Sequence, residues 1–480
     1  MVIVALAAAG TVWSALPPAA DASSGVVLEN GLVQLGVHSE GHLNVPTDNP
    51  SSGTGTTYVG LRYTPANADA TSPGCLCEGW GAADAVSGVG GWANEVEGGA
   101  TNLTNVSFAS TATTARSVVR VGDKLEVVHD YHPSRLSPNL YEVTVSIKNI
   151  SSATVEPRYR RVMDWDVEPT AFDEFVTTVT GEILGMGGPE ALLDNDNDGF
   201  ATANPLGADG SISPYFTGAF DDAGPDDHGA RFDFGFGELE PGVAVQFSIY
   251  YGAAADEATA LGALAIVEAE LYSLGQPNTA RGPDYGEPNT FIFGFSGIGG
   301  DPVAPDPTIP DGAYGRWPKG PGTATISYSY GGAHRYLGNV YQAAQNWDQA
   351  GSSLRIQAWP GVPAANHISV VDIYGDYDWY GTVVARGGCE PGDKCVFSRN
   401  SVFLNQKLLD PKDDFFRTLI TTHEFGHALG LCHQSEGDCG ITIPPSTKSV
   451  MHTGPILETN HVSYNTPQAH DVQILKELYP

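Results

Sequence analysis

Two kinds of hydrophobic pattern divide this chain. Tyr141-Glu142-Val143-Thr144-Val145-Ser146-Ile147-Lys148 alternates without a break, and so does Val243-Ala244-Val245-Gln246-Phe247-Ser248-Ile249. A period of two sends successive side chains to opposite faces, so each run predicts a strand with one buried face, as in an antiparallel sheet. Runs of this kind, separated by Gly- and Asn-rich turns, fill residues 24–300 and predict an antiparallel β-sandwich. One helical segment, residues 256–274, is expected to interrupt it.

Residues 301–315 are rich in proline, glycine and aspartate and read as a stiff, exposed linker, where a cut is expected to release everything downstream. Beyond it the pattern mixes two periods. Strands are predicted over 325–330, 354–358, 368–373 and 382–385. A helix is predicted over 334–349, with Tyr336, Val340, Ala343, Ala344 and Trp347 on one face. A second helix is expected to start at Asp410-Pro411, with Asp as the cap, Pro in the first turn, and Asp413 and Asp414 at the positive end. In it Phe416, Ile420, His423 and His427 follow at spacings of four, three and four, so an apolar face runs directly into two imidazoles. Residues 316–480 therefore read as an α+β domain.

That second helix opens the most specific string in the chain, Thr422-His423-Glu424-Phe425-Gly426-His427-Ala428-Leu429-Gly430-Leu431-Cys432-His433. His423 and His427 lie one turn apart on one face. Neutral imidazole is a good zinc ligand, and three such ligands leave a fourth position for water. Glu424 points elsewhere on the helix and is free to act as a base on that water. Gly430 can take the left-handed conformation that ends a helix, which lets His433 turn back toward the other two. Histidine makes up only 13 of 480 residues, so a chance match at five fixed positions is a rare event.

At each of those positions, His423, Glu424, His427, Gly430 and His433, the string resembles the extended motif of the metzincin zinc endopeptidases. Ser449-Val450-Met451-His452 resembles the methionine turn that this family places beneath its metal. Arg316-Trp317-Pro318 with Thr325-Ile326-Ser327-Tyr328 resembles the opening strand of the matrixin branch. Thr466-Pro467-Gln468-Ala469-His470-Asp471 through Leu478-Tyr479 resembles its last helix. The resemblance covers about the last third of the chain. It implies a multidomain protein, an N-terminal β-sandwich followed by an α+β zincin domain over 316–480. It also implies catalytic Zn2+ on His423, His427 and His433, Glu424 as the base, and Met451 beneath them. Extended protein or peptide substrates would lie along an edge strand, for which 382–385 is the candidate. Thr453 stands where astacins and serralysins carry a ligating tyrosine, and the matrixin propeptide cysteine motif has no match here.

Composition narrows the setting. Acidic residues outnumber basic ones 56 to 23, a net charge of −33, which argues against nucleic acid and against an anionic membrane surface. The apolar stretch from Val2, ending in Pro17-Pro18-Ala19-Ala20-Asp21-Ala22, predicts a secretory signal over residues 1–22, although no Lys or Arg precedes Arg62. No second long apolar run occurs, so no stable membrane anchor is expected. The six cysteines agree with export. Cys389 with Cys395 and Cys432 with Cys439 are the economical local pairs among fifteen full connectivities, and the second would brace the loop holding His433. Cys75 and Cys77 are left with three options: each other, other partners, or free thiols.

Asp194-Asn195-Asp196-Asn197-Asp198-Gly199 presents three carboxylates at alternate positions, a candidate structural Ca2+ turn of Asp194, Asp196 and Asp198. Pro205 at the twelfth position excludes an EF-hand loop. Asp372, Asp376 and Asp378 lie in a Gly/Tyr-rich loop and read as exposed loop acids, with a calcium site like the one the resemblance to matrixins implies nearby as the alternative. The expectation is a secreted, monomeric zinc metalloendopeptidase acting on extracellular proteins. The alternative is a surface-binding or adhesion protein in which the sandwich dominates and proteolysis is minor or self-directed.

Overall fold

The alternating runs become the middle of a ten-stranded sheet, where Leu140–Asn149 lies antiparallel between Leu125–Pro133 and Ala244–Ala254. Their inward residues Val143, Val145, Ile147 and Ile249 are fully buried. A six-stranded sheet containing Gly79–Asp84, Pro157–Asp164 and Gly229–Gly235 covers that face. The two sheets meet through aromatic rings, with Phe232 5.0 Å from Phe295 and Tyr159 5.2 Å from Phe247. This is a computed structural model; it describes residues 25–479 apart from 49–51, 54, 181–190, 209–211, 299–301, 304–308, 318–323, 332–334, 359–365, 376, 378, 387–394, 398, 435–438, 454–455 and 458–461. The expected signal segment, 1–22, thus lies outside the described residues. No helix among them is long and apolar enough to cross a membrane.

A fully buried ion pair lies in the sandwich core. The Arg161 guanidinium donates to Glu78 at 2.6 Å, the Tyr251 hydroxyl donates to the same carboxylate at 2.6 Å, and all three residues are fully buried. Such a pair is tolerated because further partners, the Gly41 carbonyl and the Tyr131 hydroxyl, take up the remaining guanidinium protons.

The helix expected over 256–274 is shorter. It spans Glu257–Ile266, capped by the Asp256 carboxylate, and Leu271–Pro277 instead enters the ten-stranded sheet. Glu268, at φ +51°, sits where the chain reverses. Strands waiting on both sides of Leu271–Pro277 satisfy its backbone, which outweighs local helical preference.

The second half holds a five-stranded sheet in the order Leu354–Ala358, Ala324–Gly331, His367–Ile373, Arg399–Asn405, Gly381–Arg386. The first four strands are parallel, and Gly381–Arg386 is an antiparallel edge. Two helices, Leu337–Asp348 and Asp414–Ala428, pack together, joined by Trp347 Nε1 donating to the Thr422 carbonyl (2.7 Å) and Asn339 Nδ2 to Thr418 Oγ1 (2.8 Å). The second of them starts later than expected. Its cap is Asp413, which accepts from the Phe416 amide, while Asp410 closes a separate short helix, Gln406–Leu409, and accepts from the Tyr336 hydroxyl.

The linker is also less free than its composition suggests. Pro302–Val303 pairs with Ala244–Ala254, and Ile309 and Ala313 are buried in the second core. The two halves share an apolar cluster in which Leu136, Leu140, Tyr250 and Leu264 pack with Ile373 and Phe403. The Tyr377 hydroxyl donates to the Leu136 carbonyl at 2.6 Å across this boundary.

Candidate metal and catalytic site

Helix Asp414–Ala428 carries His423 and His427 on one face, and both are pinned through the ring nitrogen that faces away from the site. His423 Nδ1 donates to the Val450 carbonyl at 2.6 Å, and His427 Nδ1 donates to the Leu431 carbonyl at 2.7 Å. A carbonyl can only accept, so both rings hold their proton on Nδ1 and present the lone pair of Nε2 inward. Those two Nε2 atoms are 3.0 Å apart, and His433 Nε2 lies 3.3 Å from that of His423. Tetrahedral zinc with bonds of about 2.05 Å needs ligand nitrogens roughly 3.3 Å apart, so the residues fit that ion. Burial is the first cause, and mutual repulsion the second, that holds His423 down at about 3 and His427 well below the usual imidazole range. Three imidazoles brought together in this way are a cation site by chemistry.

The helix stops where the third histidine requires it. Gly430 has φ +107°, and a Cβ there would lie 1.8 Å from the Gly315 carbonyl oxygen. The Leu431 amide donates back to the Gly426 carbonyl and the Gly430 amide to the His427 carbonyl, a Schellman pair. The remaining terminal carbonyls are met by side chains: Tyr314 OH at His427, Trp317 Nε1 and Asn400 Nδ2 at Ala428, and Tyr479 OH at Leu429. The loop after Gly430 is held by the Cys432–Cys439 disulfide and by the Cys432 amide donating to the Gly312 carbonyl. Cys389 lies outside the described residues, as does the side chain of Cys395.

Met451 is fully buried and so close to the helix that a Cβ on Gly426 would meet its sulfur at 2.3 Å. Asp471, from the last helix, is the residue that sequence reasoning missed. It is fully buried, and its carboxylate accepts from the Val450 amide (3.0 Å) and from the Ser449 hydroxyl. It thereby fixes the peptide whose carbonyl orients His423. The signal available was its place as the third residue of a helix, where it also accepts from the Gln468 amide.

Glu424 is 5 % exposed, and burial pushes its carboxyl up to about 8. Gly381, at the start of the edge strand, lies against it, for a Cβ there would meet Glu424 Cγ at 2.5 Å. This is a second position that only the fold brings into view. Arg135, from the sandwich, adds a positive charge to the surroundings of His427, and its carbonyl accepts from Trp379 Nε1 at 3.3 Å.

No family model and no curated protein matches this sequence. Among solved structures it is similar to high choriolytic enzyme 1, a hatching enzyme zinc-protease from Oryzias latipes, at 16% identity over 34% of this chain and 94% of that one, TM-score 0.22. It is similar to myroilysin at 19% identity over 37% of this chain and 98% of that one, TM-score 0.22. It is also similar to a putative aldose 1-epimerase from Escherichia coli K12, at 12% identity over 58% of this chain and 89% of that one, TM-score 0.22. Likenesses at this level decide neither family nor function, and the geometry of the site stands independently of them.

The turn of Asp194, Asp196 and Asp198 takes a form other than the expected calcium loop. The Arg231 guanidinium enters between the first two, at 2.6 Å from Asp194 and in contact with Asp196, and also touches Asp233. The Asp196 carboxylate further accepts from the Asp198 amide and the Tyr215 hydroxyl. An arginine thus supplies the positive charge that the spacing suggested a cation would bring. Of the second acidic loop, Asp372 is buried and accepts from Gln406 Nε2, and Asp376 and Asp378 lie outside the described residues.

Two other groupings of metal-ligating side chains occur among the described residues: His38 with His42 and Glu95, and Asp164 with Asp166 and Asp227. In the first, His38 Nε2 is engaged with the Asn44 carbonyl at 3.1 Å, and the two rings stack at 4.3 Å.

Proposed function

We propose that this protein is a secreted zinc-dependent endopeptidase. The observation that carries the reading is the convergence of three Nε2 lone pairs, two of them fixed by Nδ1–H donation to backbone carbonyls, beside a buried carboxylate. His423, His427 and His433 would hold the ion, which when bound supplies Lewis acidity and makes a water acidic near neutral pH. Glu424 accepts a proton from the attacking water and returns it to the leaving amine nitrogen. Its burial suits this, since a base that loses its proton near neutral pH can both take and give one. Met451 supports the histidines from below, and Asp471 holds the turn that orients His423.

The substrate would add as a strand along Gly381–Arg386. That strand pairs on one side with Arg399–Asn405 and is the last in its sheet, so its other edge can receive an extended peptide. Backbone pairing satisfies any sequence, and Gly381 brings that edge against Glu424. The bridges Cys75–Cys77 and Cys432–Cys439 support an oxidising compartment.

The test is metal analysis of the purified full chain together with cleavage of an unfolded protein such as casein. One zinc per chain, cleavage abolished by a chelator or a hydroxamate, and no cleavage by Glu424→Ala are expected. Zinc-loaded protein that cuts nothing, or a Glu424→Ala form that cuts at the normal rate, overturns the reading and favours a binding role for the sandwich.

A further inference from the structure

A second centre lies in the sandwich, far from the histidines in sequence. Asp164 ends strand Pro157–Asp164, Asp166 follows it, Glu174 opens strand Glu174–Val179, and Asp227 lies in the turn between Phe220–Asp226 and Gly229–Gly235. Carboxylate oxygens of Asp164, Asp166 and Asp227 come within 4.8 Å of one another. Asp166 is fully buried and faces the Gly74 amide and the Asp164 carboxyl, but neither of its carboxylate oxygens receives a hydrogen bond of good geometry. Asp164 Oδ1, Asp227 Oδ1 and Glu174 Oε2 are buried without a donor as well. Asp164 Oδ2 lies 3.3 Å from Cys75 Sγ, but that sulfur is in a disulfide with Cys77 and carries no proton to give.

None of these four carboxyl groups is ion-paired with Arg or Lys among the described residues. The charged and titratable groups that face them are Asp69, Asp226 and His228. An isolated buried carboxylate is costly, and three or four together are far more so unless they take up protons or a cation joins them; burial and mutual repulsion raise all four carboxyls. The contrast lies in the same domain, where Asp194, Asp196 and Asp233 gather around Arg231. The backbone is also drawn in at this point. A Cβ on Gly74 would strike both Asp166 oxygens at 2.4 Å, and one on Gly199 would lie 2.8 Å from Asp164 Oδ1.

We propose that Asp164, Asp166 and Asp227, with Glu174 completing the charge, bind a calcium ion that ties the end of the six-stranded sheet to the loop carrying Cys75 and Cys77. An all-carboxylate donor set selects a hard cation rather than zinc. Calcium suits it better than magnesium, because magnesium keeps several waters of its own, whereas calcium accepts a carboxylate through both oxygens. A cleft of about 550 Å³ lined by Ser72, Gly74, Leu76, Pro169 and Phe172 opens at Gly74 and offers an entry path.

The test uses the full chain as Glu424→Ala, so that self-cleavage does not intervene and the outcome is independent of proteolysis. After treatment with EGTA, terbium is added and its emission is read on tryptophan excitation, since Trp165 lies between two of the ligands in sequence. The expected result is one terbium per chain, displaced by calcium but not by equimolar magnesium. A rise in Tm of about 5 °C or more at saturating calcium is expected with it. Asp166→Asn should weaken calcium binding at least about tenfold, and its calcium-free form should melt no lower than the parent, because a buried repulsion has been removed. Asp227→Asn, at a half-buried position, carries the same expectation and serves if the first variant does not fold. Asp194→Asn should keep the full calcium response. Absence of a calcium-dependent shift in the parent, unchanged affinity in the Asp166 and Asp227 variants, or loss confined to Asp194→Asn overturns the proposal.

Discussion

At the scale of single residues, the proposed site divides into groups that would do the chemistry and groups that aim them. Glu424→Gln keeps the shape of the side chain and removes its basicity, so hydrolysis should fall by about 10²–10⁴-fold with zinc content unchanged. Asp471 acts at one remove. Its two oxygens receive the Ser449 hydroxyl and the Val450 amide, and Val450 in turn receives His423 Nδ1–H. Asp471→Asn turns one of those acceptors into a donor facing a donor. Zinc affinity, measured by competition with a chromogenic chelator, should drop by about 10–100-fold while the protein stays folded. Unchanged affinity would show that the turn holds its position without the carboxylate.

At the scale of elements, the helix carrying His423 and His427 is defined by its end more than by its start. Gly430→Ala places a side chain at φ +107° against the Gly315 carbonyl. The expected cost is roughly 1–3 kcal/mol or more, read as a lower Tm, together with weaker zinc retention because His433 follows this turn. The edge strand makes a separate point. Gly381→Ala would press on Glu424 without touching a metal ligand. The expectation is a fall in kcat of up to about 10²-fold with zinc content and Tm nearly unchanged. A variant with full kcat would mean that the strand moves away from Glu424 at little cost.

At the scale of the whole molecule, the sandwich and the α+β half are more than two beads on a string. Leu136, Tyr250, Ile373 and Phe403 share one buried cluster, and hydrogen bonds cross the same boundary, among them Tyr377 to Leu136, Trp379 to Arg135, and Ser401 to Glu268. Composition alone suggested that cutting the linker frees the downstream half. The packing predicts instead that a chain cut by an added protease within 304–308 still elutes as one species on size exclusion. Leu136→Asp, which buries an unpaired charge in that cluster, should separate the fragments after the same cut. Immediate separation of the cut parent chain would show that the shared cluster is too weak to hold the two halves together.

What the sequence determined by itself is local. Period-two runs placed the strands, and imidazoles four apart on a helix, with glycine and a third imidazole at set distances, specified three candidate ligands and a base. These readings work because they depend on backbone periodicity and on the chemistry of neighbours in the chain. Tertiary structure decided everything that joins distant segments. It ended the 257–266 helix early because sheet partners flank Leu271–Pro277. It set Arg231 among Asp194, Asp196 and Asp233, where the spacing had suggested a calcium loop. It brought Asp471 under Val450 and Gly381 against Glu424, and it gathered Asp164, Asp166 and Asp227, with no Arg or Lys paired to them among the described residues. The physical reason is the same in each case: a charge or a hydrogen-bonding group is satisfied by whatever the fold brings within about 3 Å of it, and sequence spacing does not encode that neighbour.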